Sequence, residues 1–74
     1  MNKHVLNAKG LLCPEPVMML HQWIHKLTVG EQLTVFATDP STERDIPKFC
    51  HYLGHKLISH TKDNEVYQYV IKKQ

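Results

Sequence analysis

The sequence predicts an α/β fold, a two-layer sandwich in which two helices pack on one face of a four-stranded mixed sheet. Two observations predict it. Segments with alternating apolar residues, typical of strands, and segments with apolar residues at helical spacing follow one another in the order β-α-β-α-β-β. The chain has 74 residues, a length that suits one small domain, predicted over residues 1–74. Because amphipathic helices must bury their apolar stripes, both are expected to cover the sheet.

The first half of the chain is predicted to form a strand, a helix and a second strand. Residues 4–8 alternate and read as a short strand that ends at Lys9-Gly10. The first helix is predicted to begin at Pro14 or Pro16 and to end at Leu27, followed by a turn. Residues 32–38 alternate again and are predicted to form a central strand. The core stripe of the first helix contains Val17, Leu20, Ile24 and Leu27, with Trp23 at its margin.

The second half is predicted to form a helix and a β-hairpin. Residues 39–42 are rich in helix-capping side chains, and a helix is predicted from residue 42 or 43 to residue 53, with Pro47 near its start and Gly54 as its stop. Two strands follow over residues 55–61 and 65–72, and the segment between them suits a tight turn. The core stripe of this helix contains Ile46, Phe49, Cys50 and Leu53.

Composition excludes several classes of protein. With 42% apolar and 22% charged residues the chain is not compositionally disordered, and a net charge of +2 does not indicate tight nucleic-acid binding. No run approaches the roughly 18 apolar residues that span a membrane. The first residues lack the apolar stretch of a signal peptide, and two cysteines are too few for a disulfide scaffold. We therefore expect a cytoplasmic protein with free thiols.

A reactive cysteine is predicted at the start of the first helix. Cys13 is followed by Pro14, Glu15 and Pro16. Proline is tolerated in the first helical turn, so Pro14 and Pro16 mark the helix start and hold the residues before them extended. Unpaired N–H groups and the helix dipole at such an end favour an anion, which stabilises a thiolate relative to a thiol. Cys13 is therefore the candidate nucleophile.

The other cysteine and the histidine pairs are assigned structural roles. Cys50 matches the apolar stripe of the second helix, so we expect it in the core. His21 and His25, and likewise His51 and His55, are four residues apart, but each pair lacks a third ligand nearby. No metal site and no cofactor are therefore predicted.

The motif Cys13-Pro14-Glu15-Pro16 resembles the CPxP signature of the TusA/SirA family of sulfur-carrier proteins. The similarity extends in register over essentially the whole chain, with the same order of elements, and the TusA branch of the family fits best. The segments that carry it are Gly10-Leu11, Pro16-Val17-Met18-Met19, Gly30-Glu31, residues 38–42 and 44–47, Phe49-Cys50, His55 and residues 67–71.

This resemblance implies a carrier and not an enzyme. Cys13 would accept sulfur as a persulfide from a cysteine desulfurase and pass it to a downstream sulfur-relay protein complex that ends in 2-thiolation of the wobble uridine of certain tRNAs. One alternative is the same chemistry serving sulfur oxidation or molybdenum-cofactor supply. Another is a small RNA-binding or regulatory module, because the fold resembles the C-terminal domain of a bacterial translation initiation factor, although the mild charge argues against it. A thiol peroxidase or reductase would need a resolving cysteine near Cys13.

A partner-binding surface is predicted beside Cys13, and the isolated protein is expected to be a monomer. The solvent face of the first helix carries an exposed methionine, a residue type common on surfaces that bind several partners. The alternative for Met18 is that it fills a gap against the neighbouring loop. For Arg44 and Asp45 at the second helix start, the alternatives are a solvated arginine beside a carboxylate that complements the helix dipole, and a contact with the partner of Cys13 or with its outgoing persulfide. Asp39 is favoured as a turn or capping residue over a catalytic carboxylate. The predicted partner-binding residues are Glu15, Met18, Gln22, His25, Asp39 and Arg44.

Overall fold

A computed structural model describes residues 3–74 and confirms the predicted order of elements. The predicted domain also includes residues 1 and 2, which lie outside the described residues. Neither helix in residues 3–74 has the length and apolarity that crossing a membrane requires. The elements are β1 (Lys3–Ala8), α1 (Glu15–Lys26), β2 (Gln32–Ala37), α2 (Thr42–Leu53), β3 (Lys56–Asp63) and β4 (Val66–Lys72).

The four strands form one mixed sheet in the order β1-β2-β4-β3. β1 pairs with β2 in parallel, Ala8 opposite Ala37, whereas β4 runs antiparallel to both β2 and β3. β2 is therefore a central strand, as its alternation predicts. The parallel pair brings the carboxyl ends of β1 and β2 to the same edge, and the loops that follow them meet there.

The core lies between the two helices and one face of the sheet. Alternate residues are buried along β2 and β4, and the predicted apolar stripes of both helices pack onto them. Cys50 is buried, as predicted. Leu53 is the exception, with 48% of its surface exposed, because this last residue of α2 lines an open groove. The main core side chains are Leu6, Leu20, Ile24, Leu33, Val35, Ile46, Phe49, Tyr67, Tyr69 and Ile71.

The ends of the elements follow the predictions with small shifts. α1 begins at Glu15, inside the predicted interval, and Gly54 ends α2 in a left-handed conformation with φ 76°. α2 continues through Pro47. The hairpin is tighter than predicted, because β3 extends to Asp63 and leaves only residues 64 and 65 between the strands. Asn64 has φ 58°, a conformation that asparagine tolerates well.

Candidate functional site

The loop that carries Cys13 is fixed by the neighbouring β2–α2 loop. The Gly10 N–H donates to Thr38 Oγ1 at 2.9 Å, and the Cys13 N–H donates to Asp39 Oδ2 at 2.6 Å. The Glu15 N–H closes a turn onto the Leu12 carbonyl at 2.9 Å, and the Cys13–Pro14 peptide bond is cis. Two loops from the same edge of the sheet therefore hold the cysteine backbone at the start of α1.

The Cys13 side chain is exposed and lies beside a carboxylate. Its Sγ is 3.8 Å from Asp45 Oδ2, within the range of a thiol hydrogen bond. The other oxygen of Asp45 accepts a hydrogen bond from Arg44 Nε at 3.1 Å. Asp45 is 32 residues from Cys13, and α2 brings it to the sulfur. The thiol is thus accessible, yet it faces a negative charge as well as the positive end of α1.

The first turn of α1 offers few N–H groups to an anion. Pro14 and Pro16 have no N–H, and the Glu15 N–H is bonded to the Leu12 carbonyl. In this turn the Val17 N–H remains, and within residues 3–74 it makes no backbone hydrogen bond outside the helix, so it is the donor left for a ligand. The two prolines position the sulfur, but they also reduce the number of backbone donors that the sequence pattern suggested would stabilise a thiolate.

An apolar groove between α1 and α2 begins at Cys13. Its volume is about 430 Å³. Val17 and Phe49 line it, and so does Tyr52, which is 75% exposed. The exposed ring of Tyr52 and the half-exposed Leu53 therefore add apolar surface beside the accessible cysteine. The lining residues are Cys13, Pro14, Val17, His21, Asp45, Lys48, Phe49, Tyr52 and Leu53.

The four partner-binding residues predicted on α1 are all exposed but lie outside this groove. Glu15, Met18, Gln22 and His25 share the solvent side of α1, and Met18 is 56% exposed. The 100° spacing of helical residues places this side next to the groove residues of the same helix. The predicted face and the groove are therefore neighbouring parts of one surface around Cys13.

Asp39 and Arg44 make contacts within the protein. Asp39 accepts the Ser41 N–H at 3.0 Å with Oδ1 and the Cys13 N–H with Oδ2, and these two bonds, the Ser41 bond first, lower the pKa of its carboxyl. Asp39 thus stabilises the β2–α2 turn, the role that the sequence favoured over a catalytic carboxylate, and it also tethers the Cys13 loop. Arg44 is exposed and paired with Asp45.

Sequence reasoning gave the contacts that α2 makes at the site only in part. For Arg44 and Asp45 it left two alternatives: a solvated arginine beside a carboxylate that complements the helix dipole, or a contact with the partner of Cys13 or with its outgoing persulfide. Leu53 was assigned to the core. Tyr52 received no role, although a tyrosine beside a core position of an amphipathic helix is a recognisable sign of an exposed aromatic. The contact between Asp45 and Cys13 had no local sign, because it depends on how α2 packs against α1.

Of the remaining candidate groups, His21 lines the groove, whereas His25, His51, His55 and the buried Cys50 do not. His21 and His25 have ring centroids 5.5 Å apart, and the Phe49 ring lies between His21 and His55. Within residues 3–74 no three histidine, cysteine or acidic side chains come together as a metal site would require. Burial raises the pKa of the Cys50 thiol to about 11, so that thiol is unreactive at neutral pH.

Comparison with known proteins finds similarity over nearly the whole chain. A family model described as Sulfurtransferase TusA matches residues 4–73. A sulfur carrier protein TusA from Pseudomonas putida (strain GB-1) is 57% identical over 70 residues, which cover 95% of this chain and 88% of that protein. A sulfur carrier protein TusA from Pseudomonas savastanoi pv. phaseolicola is 56% identical over 70 residues, which cover 95% of this chain and 83% of that protein.

A solved structure has the same fold. The SirA-like protein from Desulfitobacterium hafniense superposes with a TM-score of 0.82 at 24% sequence identity, over 93% of this chain and 95% of that one. At this identity the likeness concerns the fold, and it confirms the predicted arrangement of four strands and two helices.

Proposed function

The chain belongs to the TusA family of sulfur carrier proteins, as its sequence predicted, and from this membership we propose that Cys13 carries sulfur as a persulfide. The relatives are named sulfur carrier proteins, which agrees with the prediction that this chain is a carrier and not an enzyme. The observation that supports the proposal most is the exposed Cys13 sulfur at the mouth of an apolar groove, with the second cysteine buried. One accessible sulfur atom is what a carrier of a single sulfur requires.

The proposed transfer is a thiolate–persulfide exchange. The Cys13 thiolate attacks the outer sulfur of a persulfide on the donor, a new S–S bond forms at Cys13, and the donor S–S bond breaks as the donor cysteine leaves as a thiolate. The sulfur atom moves with no net oxidation or reduction. Unloading repeats the exchange in the other direction, with Cys13 as the leaving group. An exposed sulfur on a fixed loop suits both steps, because each requires in-line access by another sulfur.

We propose a cysteine desulfurase as the donor and the groove, with the neighbouring face of α1, as its docking surface. The groove is continuous with Cys13, and Tyr52 and Leu53 expose apolar area that monomeric proteins rarely leave uncovered next to a reactive group. Exposed aromatic side chains contribute strongly to protein interfaces. Met18 and Glu15 extend the same surface on α1.

Loading of Cys13 is tested with purified protein, a cysteine desulfurase, pyridoxal phosphate and cysteine. We expect the intact protein to gain the mass of one sulfur atom, and peptide analysis to place that atom on Cys13. Cys13→Ser should gain none, whereas Cys50→Ala should load as the parent protein does, because Cys50 is buried. Sulfur found mainly on Cys50, or an unchanged gain in Cys13→Ser, would contradict the proposal.

Docking is tested with charge substitutions on the groove. Tyr52→Asp should slow loading by at least about fivefold, since loss of one central aromatic contact costs more than about 1 kcal/mol. Met18→Asp and Glu15→Lys test the adjoining face of α1. Val29→Asp is the matched control, because Val29 is 73% exposed in the turn beyond the opposite end of α1. If Tyr52→Asp and Val29→Asp load at the same rate, the groove is not the docking surface.

We further propose that the sulfur reaches a downstream relay complex and the wobble uridine of certain tRNAs. Replacing the chromosomal copy by Cys13→Ser should deplete 2-thiouridine derivatives in total tRNA, measured by mass spectrometry of nucleosides. If the amount of thiolated nucleosides is unchanged, this proposal is wrong and the result favours the same carrier chemistry in another sulfur pathway. Nanomolar RNA binding by the purified protein at physiological salt, with function retained in Cys13→Ser, would instead support an RNA-binding module.

A further inference from the structure

The contact between Cys13 and Asp45 bears on the state of the sulfur before any partner binds. The Cys13 Sγ is 3.8 Å from Asp45 Oδ2. A carboxylate can only accept a hydrogen bond, so this contact is a hydrogen bond when the sulfur carries a proton and a repulsion between like charges when it does not. We propose that Asp45 is a positioning residue that keeps the Cys13 sulfur as a neutral thiol in the free carrier, and that Arg44 weakens this effect by pairing with the same carboxylate.

The charges around the sulfur are balanced in a way that gives Asp45 this influence. The N–H of Cys13 itself is bonded to Asp39, and the first turn of α1 leaves Val17 as its available donor. The positive helix end is therefore opposed by two carboxylates, of which Asp45 is the one that contacts the sulfur. The charged and titratable groups around Cys13 are Glu15 and His21 on α1, Asp39 in the β2–α2 loop, and Arg44, Asp45 and Lys48 on α2.

A protonated resting thiol suits a carrier. The thiol is a poor nucleophile, so the free protein resists oxidants and electrophiles in solution. A docked partner that presents an arginine or lysine pairs with the Asp45 carboxylate and neutralises its charge. Asp45 then no longer accepts the thiol hydrogen or repels a thiolate, so the Cys13 thiolate forms while the donor persulfide is bound nearby. In the loaded carrier the outer sulfur is one S–S bond, about 2.05 Å, beyond Sγ, so its negative charge is farther from Asp45.

The rate at which iodoacetamide alkylates the full-length protein tests the proposal. It is measured between pH 6 and 9 from the intact mass. The reagent reacts with the thiolate, and the buried Cys50 contributes little in this range. Asp45→Asn keeps the shape of the side chain and removes its charge. It should alkylate about fivefold faster at pH 7 and shift the rate profile to lower pH, as expected for loss of a like charge about 4 Å away at a solvated site.

Arg44→Gln is the second variant. Because the Arg44 side chain is 73% exposed, this substitution should leave the fold of the protein unaffected. It should alkylate more slowly than the parent, and the double variant should match Asp45→Asn, because Arg44 acts through Asp45. Asp63→Asn, in the hairpin, gives the same change in net charge without a hydrogen bond to Cys13 and should leave the rate unchanged.

Equal rates for Asp45→Asn and the parent across the pH range, or faster alkylation of Arg44→Gln, would overturn the proposal. This result is distinguishable from failure of the proposed function. A variant that alkylates like the parent and still accepts sulfur from a desulfurase disproves the role of Asp45 and leaves sulfur carriage intact.

Discussion

At the residue scale, the environment of Cys13 is built by carboxylates that are distant in sequence. Asp39 uses both oxygens for backbone N–H groups, one of them that of Cys13, and so joins the two loops of the site. Asparagine would offer one acceptor oxygen in place of two, so the ionised carboxylate is needed for both bonds. Glu31, at the opposite end of the sheet from Cys13, also uses both oxygens: one accepts the Thr28 N–H at 2.8 Å and the other contacts the His4 ring at 3.2 Å.

These carboxylates predict a loss of stability in acid. Hydrogen bonds to Ser41 and Cys13 lower the pKa of Asp39, and those to Thr28 and His4 lower the pKa of Glu31. A carboxyl with a lowered folded-state pKa stabilises the protein above its unfolded value, about 3.9 for Asp and 4.3 for Glu, and loses that contribution as pH falls through the folded value. The urea midpoint should therefore fall between about pH 5 and 3, and this fall should be smaller in Glu31→Gln.

His55 contributes in a separate pH window. Burial and, secondly, the charge of Lys73 lower the pKa of His55, whose Nδ1 accepts the Gln74 N–H at 3.1 Å. Its neutral form therefore stabilises the protein above the unfolded pKa of about 6.5, and this contribution is lost as pH falls from there through the folded value. His55→Gln should flatten the stability profile just below that pH and leave the fall in stability near pH 4 unchanged. The opposite pattern would contradict both assignments.

At the scale of elements, periodicity was enough to predict every helix and strand. The two helical stripes and the alternation of β2 and β4 are local patterns, and each corresponds to one buried face. The start of α1 was also local, because proline marks it. Leu53 was misplaced because periodicity identifies a face but not where along a helix the covering sheet ends. For Asp45 the sequence left a dipole role and a contact with the partner or persulfide of Cys13 as alternatives. It did not place the carboxylate against the thiol itself, because the approach of α2 to α1 is tertiary.

The end of α2 gives a prediction at this scale. Gly54 has φ 76°, and apart from its chain neighbours no heavy atom of residues 3–74 lies within 4 Å of the position where a side-chain Cβ would be added. Gly54→Ala should therefore lower the free energy of unfolding by about 1 to 2 kcal/mol through backbone strain alone, without a steric clash. Gly54→Asn should lose less, because asparagine tolerates the left-handed region. Urea unfolding measures both, and equal stability of Gly54→Ala and the parent would refute this account.

At the scale of the whole molecule, a chain of hydrogen bonds connects the core to the reactive cysteine. The Thr42 hydroxyl donates to the Asp39 carbonyl at 2.7 Å, so its oxygen accepts the buried Tyr69 hydroxyl at 2.9 Å. Asp39 in turn holds the Cys13 N–H. The middle of β4, the start of α2 and the loop before α1 are thereby linked. The position of the sulfur depends on the packed sheet as well as on the local CPxP motif.

This connection predicts that a buried hydroxyl far along the chain affects the cysteine loop. Tyr69→Phe removes one buried hydrogen bond and should lower the free energy of unfolding by about 1 kcal/mol. Because Thr42 then loses a partner beside Asp39, the Cys13 amide should exchange its hydrogen faster than in the parent, measured by NMR under native conditions. Tyr67→Phe is the matched control, since Tyr67 is buried on the same face of β4 and no hydrogen bond of its hydroxyl occurs within residues 3–74. If both variants leave exchange at Cys13 unchanged, the loop is held by Asp39 alone and the core does not contribute.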